Sequence, residues 1–277
     1  MAQTAGPQGG AAKPDERHPA LTYASYLRLE ELLRLQCPRS AEHDEILFII
    51  IHQVYELWFK EVLHELARLR QGLLDGETPI VRATLKRVLT ILKTLVAQVD
   101  VLETMTPVSF LSFRARLESA SGLQSAQFRE IEFVLGRKNR ALVRLHPEGT
   151  EARRRLEERL HEPTVWDAFL RYLCEHRGYA VPRRALERDP SRPVEPEPEL
   201  QPLLIEIYRT DPDTAQVCEL LVDLDEGLQE WRYRHVKMVE RTIGTKRGTG
   251  GSSGAAYLRA TLFQPLFPDL WAIRSEL

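Results

Sequence analysis

The chain has 277 residues, 43% hydrophobic and 28% charged, with 38 Lys+Arg against 40 Asp+Glu for a formal net charge of -2. This is the composition of an ordinary soluble globular protein with length enough for one sizeable core. It excludes an overall basic field able to hold a nucleic-acid backbone. The longest apolar run, Ile46–Ile51, also falls far short of the roughly 18 residues that a membrane span needs.

Met1–Ala20 is rich in Ala, Gly, Gln and Pro and lacks the apolar centre of a secretory signal, so it reads as a disordered tail. Residues 21–277 read as one all-α domain, because helical periodicity recurs and strand alternation does not. Thr22–Gln36 is predicted as one helix. Ser40 is predicted to cap a long helix reaching about Leu74, with Glu42, Asp44 and Glu45 in its first turn. Gly76 and Pro79 precede a helix over about Val81–Glu103, and Pro107 opens another through about Glu118. Gln124–Leu135, Thr150–Leu160 and Thr164–His176 follow. Pro182–Pro202 is Pro- and charge-rich and reads as a surface excursion. Asp213 or Thr214 is expected to start the last long helix, which runs to about Ile243. A Gly/Ser loop, Gly244–Gly254, and a short helix from Ala255 complete the chain. Cys37, Cys174 and Cys218 are far apart with no CxxC pair, which suits a reducing cytoplasm and no disulfide framework.

Two of these helices carry an apolar stripe broken by one histidine. The first reads Phe48, His52, Tyr55, Phe59, Val62, Leu66, Leu69, in steps of 4 and 3 that keep one helix face. The second reads Val217, Leu221, Leu224, Leu228, Trp231, His235, Met238. A buried imidazole must be hydrogen-bonded or ligated. Each histidine alone reads most simply as a satisfied core residue. Two of them on two long apolar helices also suit a flat apolar cofactor such as haem, one ligating iron and one lining the distal side. Zinc fits less well, because it usually wants three or four ligands and neither histidine has a second histidine or a cysteine at i+3 or i+4.

Arg114 follows Phe110 by one turn, and an arginine beside aromatics can clamp a carboxylate with two parallel hydrogen bonds. The alternative is a surface arginine with a packed stem. Lys246-Arg-Gly-Thr-Gly-Gly-Ser-Ser-Gly254 allows close backbone approach to a small ligand, or is a plain flexible linker. It matches neither a Walker loop nor GxGxxG. Its place straight after the His235 helix suggests a lid over the His235 site.

Six ordered blocks resemble the tryptophan 2,3-dioxygenase family and together cover nearly all of residues 21–277. They are Leu21-Thr-Tyr-Ala-Ser-Tyr-Leu-Arg-Leu29, His43-Asp-Glu-Ile-Leu-Phe-Ile-Ile-Ile-His-Gln-Val-Tyr-Glu-Leu-Trp58, Leu102-Glu-Thr-Met-Thr-Pro107, Ser121-Gly-Leu-Gln-Ser125, Trp231-Arg-Tyr-Arg-His235 and the Lys246–Gly254 loop. The resemblance implies long core helices enclosing a haem b pocket, ferrous in the active form, with O2 as co-substrate. His235 would be the axial iron ligand and His52 the distal, catalytic histidine near the indole N–H. Phe48, with the adjoining Ile49, Ile50 and Ile51, would belong to the substrate-binding stretch. Phe110 and Arg114 would meet the carboxylate end, and Gly248 and Thr249 the amino-acid end. Phe110 stands where some members have tyrosine, leaving Arg114 most of that contact. Tyr23, Tyr26 and Leu27 would complete a neighbouring subunit's pocket in a homotetramer. The implied reaction opens the indole C2–C3 bond of L-tryptophan to give N-formyl-L-kynurenine. Rival readings are a relative acting on a substituted tryptophan or inserting one oxygen atom, a non-catalytic haem sensor or carrier, and a helical scaffold with no cofactor.

Overall fold

In the computed structural model, residues 20–249 and 254–277 are described, and they divide into an N-terminal unit ending at Cys37 and a main unit, Pro38–Leu277. The expected tail, apart from Ala20, lies outside the described residues, as do Gly250–Ser253 of the glycine loop.

In the N-terminal unit the single helix expected over Thr22–Gln36 is two short ones, α1 (Tyr23–Leu27) and α2 (Leu29–Leu32). Thr22 caps α1 in a reciprocal capping box with Ser25. Arg28 then adopts a left-handed conformation, φ 51°, which ends one helix and starts the next. Tyr23, Tyr26 and Leu27 are exposed on this unit.

The main unit begins with α3 (His43–Leu74). Ser40 does not cap it. Glu45 reaches back instead, and its buried carboxylate accepts from the backbone N–H groups of Arg39 and Ser40, each at 2.8 Å, and from the Ser40 hydroxyl. A carboxylate in the first turn so fixes the entering chain while favouring the positive end of the helix. After Gly76, whose φ of 71° and closeness to the His176 ring leave no room for a side chain, α4 (Thr78–Leu102) returns. Thr106 caps α5 (Pro107–Arg114). The helix expected through Glu118 tightens into a single narrow turn, Ala115–Leu117, and stops where Glu118 turns to φ 49°.

The remaining elements are α6 (Ala126–Val134), α7 (Arg140–Val143), α8 (Glu151–His161), α9 (Val165–Arg171), α10 (Arg183–Leu186), α11 (Gln201–Thr210), α12 (Pro212–Ile243), α13 (Ala255–Arg259) and α14 (Pro268–Ala272). Thr150 and Thr164 cap α8 and α9. Asp211, one turn before the expected caps, accepts from Thr214 N–H at the start of α12. The Pro-rich excursion is pinned to the body: Val194 N–H donates to Gly136 C=O at 3.0 Å, and Arg188 pairs with Asp167. Helix α11 begins where that stretch ends, and its one proline, Pro202, occupies the first turn, where proline is tolerated. No strand occurs among the described residues, and none of their helices is long and apolar enough to cross a membrane.

Helix α4 packs along both α3 and α12, α6 and α9 pack on α3, and α5 touches both long helices. Tyr55, Phe59, Val62, Leu66 and Leu69 of the first stripe are buried, as are Val217, Leu221, Leu224, Leu228 and Trp231 of the second. Each such side chain contributes about 1.5–3 kcal/mol. The C-terminal segment is tied to α12 by Asp225, whose carboxylate accepts from Leu266 N–H at 2.7 Å, Phe267 N–H at 3.4 Å and the Trp271 indole at 2.9 Å. Asp225→Ala strands these donors. It is expected to cost about 2–4 kcal/mol, read as a lowered denaturation midpoint, with Asp225→Asn milder because one acceptor oxygen remains.

Candidate active site

One end of each stripe leaves the packed core. Phe48 and His52 of α3 and His235 and Met238 of α12 are half-buried and line one cavity of about 260 Å3. Both histidines lie toward the same end of the bundle, because one stripe runs into the cavity at its N-terminal end and the other at its C-terminal end. Val99, Leu102 and Met105 from α4 and the turn after it, Phe110 from α5 and Phe128 from α6 supply apolar wall. At the base, Trp231 spans the two long helices, 6.3 Å from Tyr55, 6.0 Å from Phe59 and 4.7 Å from Phe128 between ring centroids.

The two imidazoles are held differently. His52 Nδ1 lies 2.7 Å from the Phe48 carbonyl oxygen. A carbonyl only accepts, so Nδ1 carries the proton and Nε2 presents a lone pair in the neutral ring. Burial pushes the His52 imidazole below the usual histidine range, opposed by the Phe48 carbonyl and by Glu56 one turn on. His235 stacks face to face on Trp231, with centroids 5.3 Å apart and planes 6° from parallel. Burial first, then His52, Arg129 and Arg232, push its imidazole down to about 4. At neutral pH it is therefore uncharged, the form that can ligate a metal.

Arg114 sits at the end of α5 on the cavity wall and donates through Nη2 to the Arg247 carbonyl. Gly248 and Thr249 also line the cavity, and the Thr249 hydroxyl donates to the Ala120 carbonyl. Gly254 has φ 63°, and a Cβ there would stand 2.7 Å from the Lys246 carbonyl oxygen, so the two ends of this loop can meet only at glycine.

The cavity thus brings together Phe48, His52, Phe110, Arg114, His235, Gly248 and Thr249. Ile49, Ile50 and Ile51 do not line it. They occupy the turn between Phe48 and His52 and rotate away, Ile50 to the surface and Ile51 into the core. Tyr23, Tyr26 and Leu27 belong to the other unit.

Sequence reasoning missed a buried ionic cluster in the wall. Glu132 of α6 accepts from Arg129, one turn before it, and from Arg232 of α12, and all three side chains are buried. Burial works against the Glu132 carboxylate, but Arg129 and Arg232 hold it below its usual range. The only signal in the sequence was charge at i, i+3 on α6, which is ordinary on helix surfaces.

The sequence pattern of the tryptophan 2,3-dioxygenase family matches residues 8–170 and 197–277. The chain belongs to this family. Relatives named tryptophan 2,3-dioxygenase include one from Herpetosiphon aurantiacus, 59% identical and covering 93% of this chain and 99% of its own length. Another from Anaeromyxobacter sp. strain K is 57% identical, covering 95% and 99%. A third from Caulobacter vibrioides is 44% identical, covering 93% and 98%. The stretch that the family pattern skips, 171–196, holds most of the Pro-rich excursion and none of the cavity lining.

The tautomer assigned to His52 has a direct spectroscopic consequence. In nitrogen-detected NMR of the protein without added ligand, His52 is expected as the Nδ1–H form, titrating below the usual histidine range. An Nε2–H signal at neutral pH contradicts the geometry.

Proposed function

We propose that the chain is a haem-dependent tryptophan 2,3-dioxygenase, an oxidoreductase that places both atoms of O2 on L-tryptophan and opens its indole C2–C3 bond to give N-formyl-L-kynurenine. Family membership supports the reaction class. The observation that carries the assignment of residues is one cavity with two neutral imidazoles on facing helices and a guanidinium at its wall.

The residues fit haem b. No three His, Cys, Asp or Glu side chains are grouped to hold a metal ion among the described residues. A metal on His235 would take other donors from outside this set of side chains, as a macrocycle can supply. The apolar walls suit a flat ring, and His235, uncharged and stacked on Trp231, would hold the iron through one ring nitrogen. Bound there, ferrous haem would supply the oxygen chemistry.

The chain's own groups position the substrate. His52 Nε2 accepts the indole N–H, because its Nδ1 proton is committed to Phe48. Phe48, whose ring is 4.1 Å from His52 and 5.7 Å from Phe110, gives the indole an aromatic face. Arg114 takes the carboxylate in a two-pronged contact, exchanging its bond to the Arg247 carbonyl for a charged partner. Thr249 and Gly248 meet the amino-acid end. Tyr23, Tyr26 and Leu27, exposed on the N-terminal unit, would complete a neighbouring copy's pocket in a homotetramer.

Purified protein is expected to show a strong haem absorption band and to convert L-tryptophan to a product heavier by two oxygen atoms. His235→Ala removes tight haem binding. Full occupancy with an unchanged ferrous spectrum in that variant overturns the ligand assignment, and gain of a single oxygen atom overturns the reaction.

Arg114→Lys replaces a planar fork with a point charge. Loss of a desolvated charge partner costs on the order of 2–5 kcal/mol, so kcat/KM for L-tryptophan should fall by at least ~30-fold. Tryptamine, which lacks the carboxylate, should be a poor substrate for both forms and barely distinguish them. Equal damage to both substrates makes Arg114 structural.

Deleting residues 1–30 is expected to weaken substrate binding more than haem binding. An active monomer in light scattering at assay concentration contradicts the shared pocket.

A further inference from the structure

The buried cluster in the cavity wall does not balance its charge. Arg129 is 5% exposed, Arg232 4% and Glu132 3%, and both guanidiniums pair with that single carboxylate. Each also flanks the Phe128 ring, with Cζ at 5.1 and 5.5 Å from its centroid. Behind them Arg137 donates to the Thr261 carbonyl at 3.3 Å and to the Gln264 amide oxygen at 2.6 Å, both neutral acceptors. One positive charge is left over in the pair, and two when Arg137 is included.

The cluster is also short of hydrogen-bond acceptors. The Nε–H groups of Arg129 and Arg232 are buried and have no hydrogen-bond partner. Both residues line the cavity that holds His235, and Arg232 lies three residues before it on α12. Nothing in the substrate reading uses them, since Arg114 takes the only carboxylate of an amino acid. An uncompensated guanidinium in an apolar wall is costly, and its hydrogen-bonding needs are met by carboxylate oxygens.

We infer that Arg129 and Arg232, bridged by Glu132 and backed by Arg137, form an anchoring site for the carboxylates on the edge of the cofactor. This rests on the haem reading and goes beyond it. The iron ligand fixes the centre of a flat ring but not its rotation, and a charged wall on one side selects the orientation that brings the acidic edge to the arginines. Glu132 acts as a spacer that holds two like charges together. Because it carries only one negative charge, it leaves the cluster attractive to a further anion.

The test compares hemin with hemin dimethyl ester, in which both carboxylates are masked. Apo-protein is titrated with each, following the porphyrin absorption band and the quenching of tryptophan fluorescence, for wild type, Arg129→Gln and Arg232→Gln. Hemin is expected to bind wild type roughly 10- to 100-fold more tightly than the ester, the loss of one or more charge-assisted hydrogen bonds. Each substitution should weaken hemin by about tenfold or more and leave the ester nearly unchanged. Each variant keeps one arginine–glutamate pair, so thermal unfolding of the apo-protein should change little. The wild-type arm needs no substitution and decides the matter even if a variant fails to fold. Equal affinity of wild type for the two porphyrins overturns the anchoring site and leaves the haem reading standing. Binding of neither porphyrin to wild type overturns both.

Discussion

The structure depends on an aromatic contact that keeps two long helices apart. Trp231 of α12 meets Tyr55 and Phe59 of α3 and Phe128 of α6. Tyr55 is fixed in turn by its hydroxyl, which donates to the Leu95 carbonyl of α4 at 2.9 Å. On one side of this contact the stripes close into a dry core of leucines and valines. On the other side the same faces, with the same spacing, have only a cavity to look into. The large rings fill the cross-section where the packing changes, so the space beyond them is bounded by rigid groups. Interiors packed to crystal-like density transmit such shape faithfully.

Polarity around the cavity follows a consistent division. Burial disfavours the cationic form of both imidazoles, while the guanidiniums of Arg129 and Arg232 sit in the wall with the Glu132 carboxylate between them. A single cavity thereby offers lone pairs in one place and fixed cations in another. Arg114 stands apart from both on a separate short helix, beside the carbonyl of Arg247.

Much of this was legible from the order of residues. The stripes identified α3 and α12, and the lone histidine in each marked where the face changes from core to cavity wall. Arg114 was singled out by its place one turn after Phe110 and Thr249 by the family resemblance of its loop, and both line the cavity. What escaped had physical reasons. The split at Arg28 needs a left-handed residue that no glycine or asparagine announces. Ser40 has the chemistry of a cap, yet Glu45 offers two oxygens to the same entering chain. Ile49 to Ile51 share a sequence block with Phe48 and His52, but 100° of rotation per residue carries them off the cavity face. Arg232 looks like the polar flank of an apolar stripe until a carboxylate one hundred residues earlier is brought against it.

The geometry of α3 and α12 has a mechanical side. Each has 32 residues, a rod of about 48 Å at 1.5 Å per residue. Each is packed in the core along most of its length and carries its histidine on the shorter remainder, which α5 braces on both helices. The two histidines are thus carried by rods rooted in one packed block. The spacing of the imidazoles is then set by the bending stiffness of hydrogen-bonded rods and not by the wandering of loops.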